Sequence, residues 1–339
     1  MPRELDARRL VRRGLVVVAA LVVLGLVAAL APGLGEVRTL LARASPAWLA
    51  LAVLLEVASS LSYVAMFRPA FCERMSWRST VEISLSELAV GSIVPASGAG
   101  GVALGAWVLS RSGMPAAVVA RRSVAFLLVK SSVNFAAVTV LGALLWLGVG
   151  PDLSPALTIL PACLAAATIV GVPLAASWLA SAGARRATGR LRGAAFAIRD
   201  GVAEAGRLLR RHDVLLVVGA IGYWIFDNLV LLATFHAFGV SPPVLVVLMA
   251  YLIGQIGGAL PLPGGLGGID GGLIGTLIVF GIDPAAAAAA VLAYRVVLFW
   301  IPIVMGVPAF WSLRRGLTDV GRHDLCLPVS SHPPAAAPR

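Results

Sequence analysis

The sequence predicts an all-α polytopic membrane protein with about six full spans plus two re-entrant broken-helix hairpins, arranged as an inverted repeat. Three observations predict it. The 339 residues are 59% hydrophobic and 13% charged, with a mean hydropathy of +0.94, far outside the range of water-soluble domains. Several apolar runs approach the ~20 residues that cross a bilayer as a helix. Two breaks rich in glycine and proline interrupt apolar segments: Pro95-Ala-Ser-Gly98-Ala-Gly100-Gly101 and Pro261-Leu-Pro263-Gly264-Gly265-Leu-Gly267-Gly268. A shift of 168 residues carries Pro95, Gly100 and Gly113 onto Pro263, Gly268 and Gly281. Unwound backbone at membrane depth survives only where protein or a polar cavity supplies hydrogen-bond partners, so a duplicated break of this kind is a transporter-like signature.

In chain order, residues 1–13 form a basic leader, and full spans are expected at 14–31, 47–67, 123–149, 156–179, 213–238 and 285–312. The first run could pass for a signal peptide. It is long for an h-region, however, and the leader carries Glu4 and Asp6, so it reads as an uncleaved span. The broken regions are 79–112 and 244–281, whose halves of about 11–17 residues are short for a ~30 Å hydrocarbon core and suit re-entrant segments. An alternative takes 244–260 and 269–283 as two complete spans, for a total of seven or eight. The transmembrane domain then covers 14–313, with a first half at 47–149 and a second at 213–312. Between them lies a connector at 185–212, where Leu191, Ala195, Ile198, Val202, Ala205 and Leu209 recur every three or four residues among arginines. That pattern reads as an amphipathic helix on anionic lipid or, equally, as a solvated connector. Residues 314–339 read as a disordered tail.

Charge sets the orientation. Five arginines precede the first span, Arg68, Arg74 and Arg78 lie in 68–78, and Arg111, Arg121 and Arg122 lie in 111–122. Eight more fall in 185–211, and Arg314, Arg315, Arg322 and Arg339 follow the last span. Only Arg38 and Arg43 belong to the opposite side, so the positive-inside rule places both termini in the cytoplasm, and the chain is expected in the plasma (inner) membrane. The first hairpin then enters from the cytoplasmic face and the second from the outer face, which makes the repeat inverted.

The net charge of +11 is explained by these loops and does not call for nucleic acid. Cys72, Cys163 and Cys326 are odd in number, widely spaced and without a histidine cluster, so neither a disulfide framework nor a metal site is indicated. No Walker loop, His-Glu-x-x-His or Gly-x-Ser-x-Gly is present, and no cofactor or catalytic residue is expected.

Charges at membrane depth are costly, and each is a candidate for function. They are Glu56, Glu87, Lys130, Asp227, Asp270 and Arg295, with Asn134, Asn228, His236 and Gln255 as polar company. Lys130 and Arg295 follow the two hairpins, so an anion held between a basic side chain and exposed backbone amides would fit. The candidate binding set is therefore Arg295, Asp270, Pro263, Gly264, Gly265, Gly267 and Gly268 in the second half. In the first half it is Pro95, Gly98, Gly100, Gly101, Lys130 and Glu87, with Asp227 on the span before the second hairpin. Structural alternatives are ion pairs between Glu56 and Lys130 and between Asp227 and Arg295. Arg121 and Arg122 either guide headgroups at the cytoplasmic mouth or serve orientation alone.

The run from Leu260 through Asp270, then Gly281-Ile282, Leu292-Ala-Tyr-Arg295 and Phe299-Trp300-Ile-Pro302, resembles the flippase-like family. This is the transmembrane region of lysylphosphatidylglycerol synthases and their stand-alone relatives, the UPF0104 group. The resemblance covers roughly 15–312 and is specific in the second half. It implies that Pro263, Gly264, Gly265 and Gly267 form a re-entrant tip, that Asp270 stands where the family usually has Glu, and that Arg295 is the family's arginine. In the first half the family's acid is absent, with Gly100-Gly101-Val102 in its place. Synthases of the family carry a soluble aminoacyl-transferase domain. This chain ends at 339, so the resemblance implies the translocator part and no lysyl transfer.

The function expected is translocation or binding of an anionic or polyprenyl-phosphate-type membrane lipid, with no enzymatic activity. Two alternatives remain open: an ion-coupled small-solute transporter, and an accessory membrane subunit for a lipid- or glycan-modifying enzyme. The oligomeric state is left open.

Overall fold

The computed structural model describes residue 15 and residues 35–93, 99–150, 154–178, 190–255 and 268–318. Every regular element among them is a helix. In order they are α1 (Gly35–Ala42), α2 (Pro46–Phe71), α3 (Trp77–Ile93), α4 (Ala99–Arg111), α5 (Ala116–Trp146) and α6 (Pro155–Trp178). Then come α7 (Arg190–Arg210), α8 (Val214–Ala237), α9 (Val244–Gly254), α10 (Gly268–Val279) and α11 (Pro284–Thr318). Five of the described helices, α2, α5, α6, α8 and α11, are long and apolar enough to cross a membrane. The expected span 14–31 lies outside the described residues except for Leu15.

Local chemistry explains where these helices start and stop. Proline opens α2, α6 and α11, where its missing N–H costs nothing. Asp213 caps α8 by accepting from the Leu216 amide at 3.1 Å, and Asp283 caps α11 by accepting from Ala286 at 2.9 Å. Helices α4 and α10 both end at a glycine in the left-handed region, Gly113 at φ 89° and Gly281 at φ 87°. In each case the next residue donates back five positions, Met114 to Leu109 at 3.1 Å and Ile282 to Leu277 at 3.0 Å. A side chain would strain that turn.

These paired turns belong to a longer correspondence. The starts of α2 and α8, and of α5 and α11, are each 168 residues apart, and α4 and α10 agree to within a residue. The two broken regions are helix pairs that pack on themselves, α3 on α4 and α9 on α10. Helices α4, α9 and α10 hold 13, 11 and 12 residues, so each rises only ~16–20 Å at 1.5 Å per residue.

Helices α2 and α8 form an antiparallel seam. The Ser45 amide at the start of α2 donates to Ala237 O at the end of α8 at 2.7 Å. Further along, the Ser59 hydroxyl donates to Tyr223 O at 3.2 Å. A Cβ on Gly219 would come within 2.8 Å of Met66 N and Ser62 O, so only glycine allows this approach. Each hairpin also leans on the last long helix of the opposite half, α3 on α11 and α9 on α5. The Ser312 hydroxyl donates to Glu82 at 2.7 Å across the first of these contacts.

Among the described residues, two large apolar cores and a small one of Val64, Leu85 and Ala309 result. One large core gathers Phe67, Phe71, Phe126 and Met66, with Phe67 stacked on Phe71 at 4.4 Å. The other gathers Phe235, Met249, Leu277 and the alanines of α11. Large apolar side chains such as Leu54, Leu61, Leu164, Leu174 and Val304 point outward, as lipid contact requires. The connector helix α7 docks on α5 through Ala205 and Leu208, which are buried, and Gly201, whose missing side chain makes room for Val124. Ile198 and Leu209 of its apolar stripe stay exposed.

Candidate functional site

The chain has four tyrosines and one lysine. All five side chains converge in the interior, where the two halves meet. On α2, Glu56 and Tyr63 are two turns apart and share a face, as do Tyr223 and Asp227 on α8, one turn apart. The Tyr63 hydroxyl donates to Glu87 Oε2 at 2.8 Å. The Tyr294 hydroxyl donates to Asp227 Oδ1 at 3.0 Å, and the Tyr251 hydroxyl donates to Asp227 Oδ2. Lys130 Nζ lies 5.8 Å from the Tyr63 ring and 5.2 Å from the Tyr223 ring, a cation–π position over two aromatic faces. Those two rings are 5.6 Å apart. Glu56, Glu87, Asp227 and Asn228 are all buried.

Glycine shapes the Glu87 side of this centre. Gly105 on α4 faces the carboxylate so closely that a Cβ there would overlap it, and Gly101 packs on the Glu87 backbone. The first hairpin is thus closed around an acid. Glu87 also meets the Gly105 backbone amide, whereas Glu56 Oε2 accepts no hydrogen bond among the described residues.

The second pair of charges stands beside this centre. Arg295 on α11 donates through Nε to Asp270 Oδ1 at 2.7 Å and through a second guanidinium nitrogen to the same oxygen. Both side chains are 15% exposed. Asp270 lies in the first turn of α10, directly after the glycine-rich break, where a carboxylate also favours the helix dipole. Arg295 therefore pairs with Asp270, and the alternative pairing with Asp227 gives way because the two tyrosines hold Asp227. Glu56 and Lys130 form no ion pair within 4 Å among the described residues; Lys130 is taken by the tyrosine rings instead.

Of the other sequence candidates, Gly101 and Gly268 are buried at the starts of α4 and α10, and Gly100 is helical at the start of α4. Pro95, Gly98, Pro263, Gly264, Gly265 and Gly267 lie outside the described residues. The tyrosines other than Tyr294 went unread in the sequence. Their signal was position: tyrosines of membrane proteins favour span ends, and these fall within apolar runs.

At the arginine-rich end, a cavity of about 430 Å³ opens between the end of α2, the α4–α5 turn and α7. Arg74, Arg122, Arg211, Glu73 and Glu204 line it. Arg122 donates to Phe71 O and so closes the last turn of α2. Arg121 pairs with Glu204 at 3.3 Å, and Arg207 pairs with Glu204 as well. Partial burial would push the Glu204 carboxyl up, but the hydrogen bond from Arg207 and the charges of Arg207, Arg121 and Arg122 hold it below the usual carboxylate range.

Long apolar helices, short paired apolar helices and interior charges clasped by tyrosine define a multi-pass membrane protein. The chain belongs to the family described as the lysylphosphatidylglycerol synthase TM region, whose model matches residues 15–306. A UPF0104 membrane protein of Methanothermobacter thermautotrophicus is 27% identical over 326 residues, covering 86% of this chain and 94% of that protein. Two shorter matches to a UPF0104 membrane protein of the same organism are 32% identical over 84 residues and 35% identical over 101 residues. They cover 24% and 30% of this chain, and 25% and 29% of the protein matched.

Proposed function

We propose that the chain is a flippase-like translocase for an anionic or polyprenyl-phosphate-type lipid, built as an inverted repeat in the plasma membrane with both termini cytoplasmic. The observation that carries this reading is the Asp270–Arg295 pair. A cation at membrane depth is held by one carboxylate, beside a glycine-rich break, and keeps part of its surface accessible. A phosphate reaching Arg295 would replace Asp270 as its partner and could take the guanidinium bidentately, so little charge is left unpaired during the exchange. Membership of a family named for a lipid-modifying synthase's membrane region supports a lipid as cargo.

The 168-residue correspondence and the antiparallel α2–α8 seam together support inversion. Each helix opens one half, and they run in opposite directions. Opposed halves with short hairpins are the arrangement that alternating access uses in other transporter folds. The test is leaflet-resolved distribution of a fluorescent phosphatidylglycerol in reconstituted vesicles. Arg295→Ala should slow translocation about tenfold or more, the scale of one lost charged contact of ~1.5–3 kcal/mol. Unchanged rates in both Arg295→Ala and Asp270→Asn would overturn the assignment.

A further inference from the structure

The translocase reading leaves the tyrosine-lined centre without a role, and its charge does not balance. Asp270 and Arg295 cancel each other. That leaves Glu56, Glu87 and Asp227 against the single cation Lys130, an excess of two negative charges if every group is ionised. Such an excess inside a low-dielectric interior costs far more than the fold can hold, and a buried acid relieves it by carrying a proton. Geometry agrees with the count. Glu56 Oε2 is a buried acceptor with no donor among the described residues, on a residue only 5% exposed, and Glu87, 2% exposed, meets only the Tyr63 hydroxyl and the Gly105 backbone amide. A proton on Glu56 converts that stranded acceptor into a donor.

We propose that Glu56, Glu87 and Asp227 form an intramembrane proton-binding site whose proton exchange drives translocation; this rests on the translocase reading and supplies its energy source. Every packed element contributes a facing group. Helix α2 brings Glu56 and Tyr63, α3 brings Glu87, α5 brings Lys130, and α8 brings Tyr223 and Asp227. Helix α9 brings Tyr251, α11 brings Tyr294 and Arg295, and α10 brings Asp270 bound to that arginine. Glu87 belongs to the first half and Asp227 to the second, while Lys130 bears electrostatically on both. A proton taken from water on one side by one carboxylate and released from the other to the opposite side would change which acid Lys130 balances. The hairpins are positioned to respond, because α3–α4 closes directly on Glu87 and α9 holds Asp227 through Tyr251.

The test uses the full chain in two measurements. Infrared spectra in detergent should show a protonated-carboxyl C=O band at neutral pH that shifts in D2O. Glu56→Gln and Glu87→Gln, both near-isosteric, should each remove part of that band, while Asp270→Asn leaves it. In proteoliposomes with fluorescent phosphatidylglycerol and an internal pH dye, an imposed pH gradient should speed lipid movement at least severalfold. Both variants should lose that acceleration while eluting as folded protein. Absence of the band, or lipid movement indifferent to the gradient, would overturn the proton site, and the second result leaves lipid translocation standing. A titrating band with gradient-driven proton flux but no lipid movement would uphold the proton site and remove the lipid reading.

Discussion

Breaking the Asp270–Arg295 pair should expose how much the second half depends on it. Losing one partner of a fully buried pair costs ~3–5 kcal/mol, and an unpaired charge at the centre of a membrane helix costs ~2.5–3.5 kcal/mol. Each side chain here is 15% exposed, which tempers the penalty, so Arg295→Met or Asp270→Leu alone should cost about 2–3 kcal/mol. The double variant removes both charges together and should fall short of the sum of the singles by about 1–3 kcal/mol. The assay is reversible unfolding in mixed lipid–detergent micelles, read by tryptophan fluorescence as a double-mutant cycle. Single effects that add to within ~0.5 kcal/mol would refute the reasoning, because contact at 2.7 Å would then carry no coupling. The functional counterpart has opposite signs. Asp270→Asn frees the guanidinium and should tighten binding of a phosphate-bearing lipid, whereas Arg295→Met should weaken it.

Other outcomes follow from the packing and the charges. Gly105→Ala drives a methyl group into the Glu87 carboxylate and should destabilise by about 1–3 kcal/mol in the same unfolding assay. Gly306→Leu should do more harm, since its Cβ meets the rigid Leu85 carbonyl and would part α11 from α3; loss of monodisperse protein on gel filtration is the expected readout. Ala116→Cys and Pro284→Cys occupy matching, exposed helix starts, and in sealed vesicles an impermeant maleimide should reach them from opposite faces. Labelling from one face would sink the inverted repeat. Glu204 has its folded pKa below the unfolded value near 4.5, so its contribution is complete above that pH and is lost as pH falls through the lower folded value. Glu204→Gln should therefore cost up to about 1 kcal/mol at neutral pH and nothing in strong acid.

Much of the fold was legible because lipid imposes simple rules. Spans follow from apolar length, breaks from clustered Pro and Gly, and the paired turns from Gly113 and Gly281. The site was legible only as a set of expensive charges. Which charge meets which depends on helix rotation and tilt, which a single sequence does not report. Arg295 thus found Asp270, twenty-five positions earlier, when Asp227 was an equally reasonable partner. The tyrosines escaped for the same reason, since a hydroxyl inside an apolar run acquires meaning only when a carboxylate is seen opposite it. The docking of α7 on α5 was hidden too, because a stripe of Ala and Leu suits a protein surface as well as a lipid one.

The α2–α8 seam limits how this molecule can move. Gly219 touches the backbone of Ser62 and Met66, the Gly222 position rests on the Ser62 hydroxyl, and Ser59 bonds across to Tyr223. Sliding one helix along the other would lift bulky neighbours onto these contacts, so the seam behaves as a fulcrum and not as a track. The lever arms are then the outer helices and the hairpins, which cross over to the opposite half. In the proposed alternating-access cycle, tilting about the fulcrum would move α3 and α9 in opposite senses while Tyr63 and Tyr223, both rooted beside it, would scarcely travel. The acids of the centre would thus be gripped or released by the arms around a nearly stationary axle.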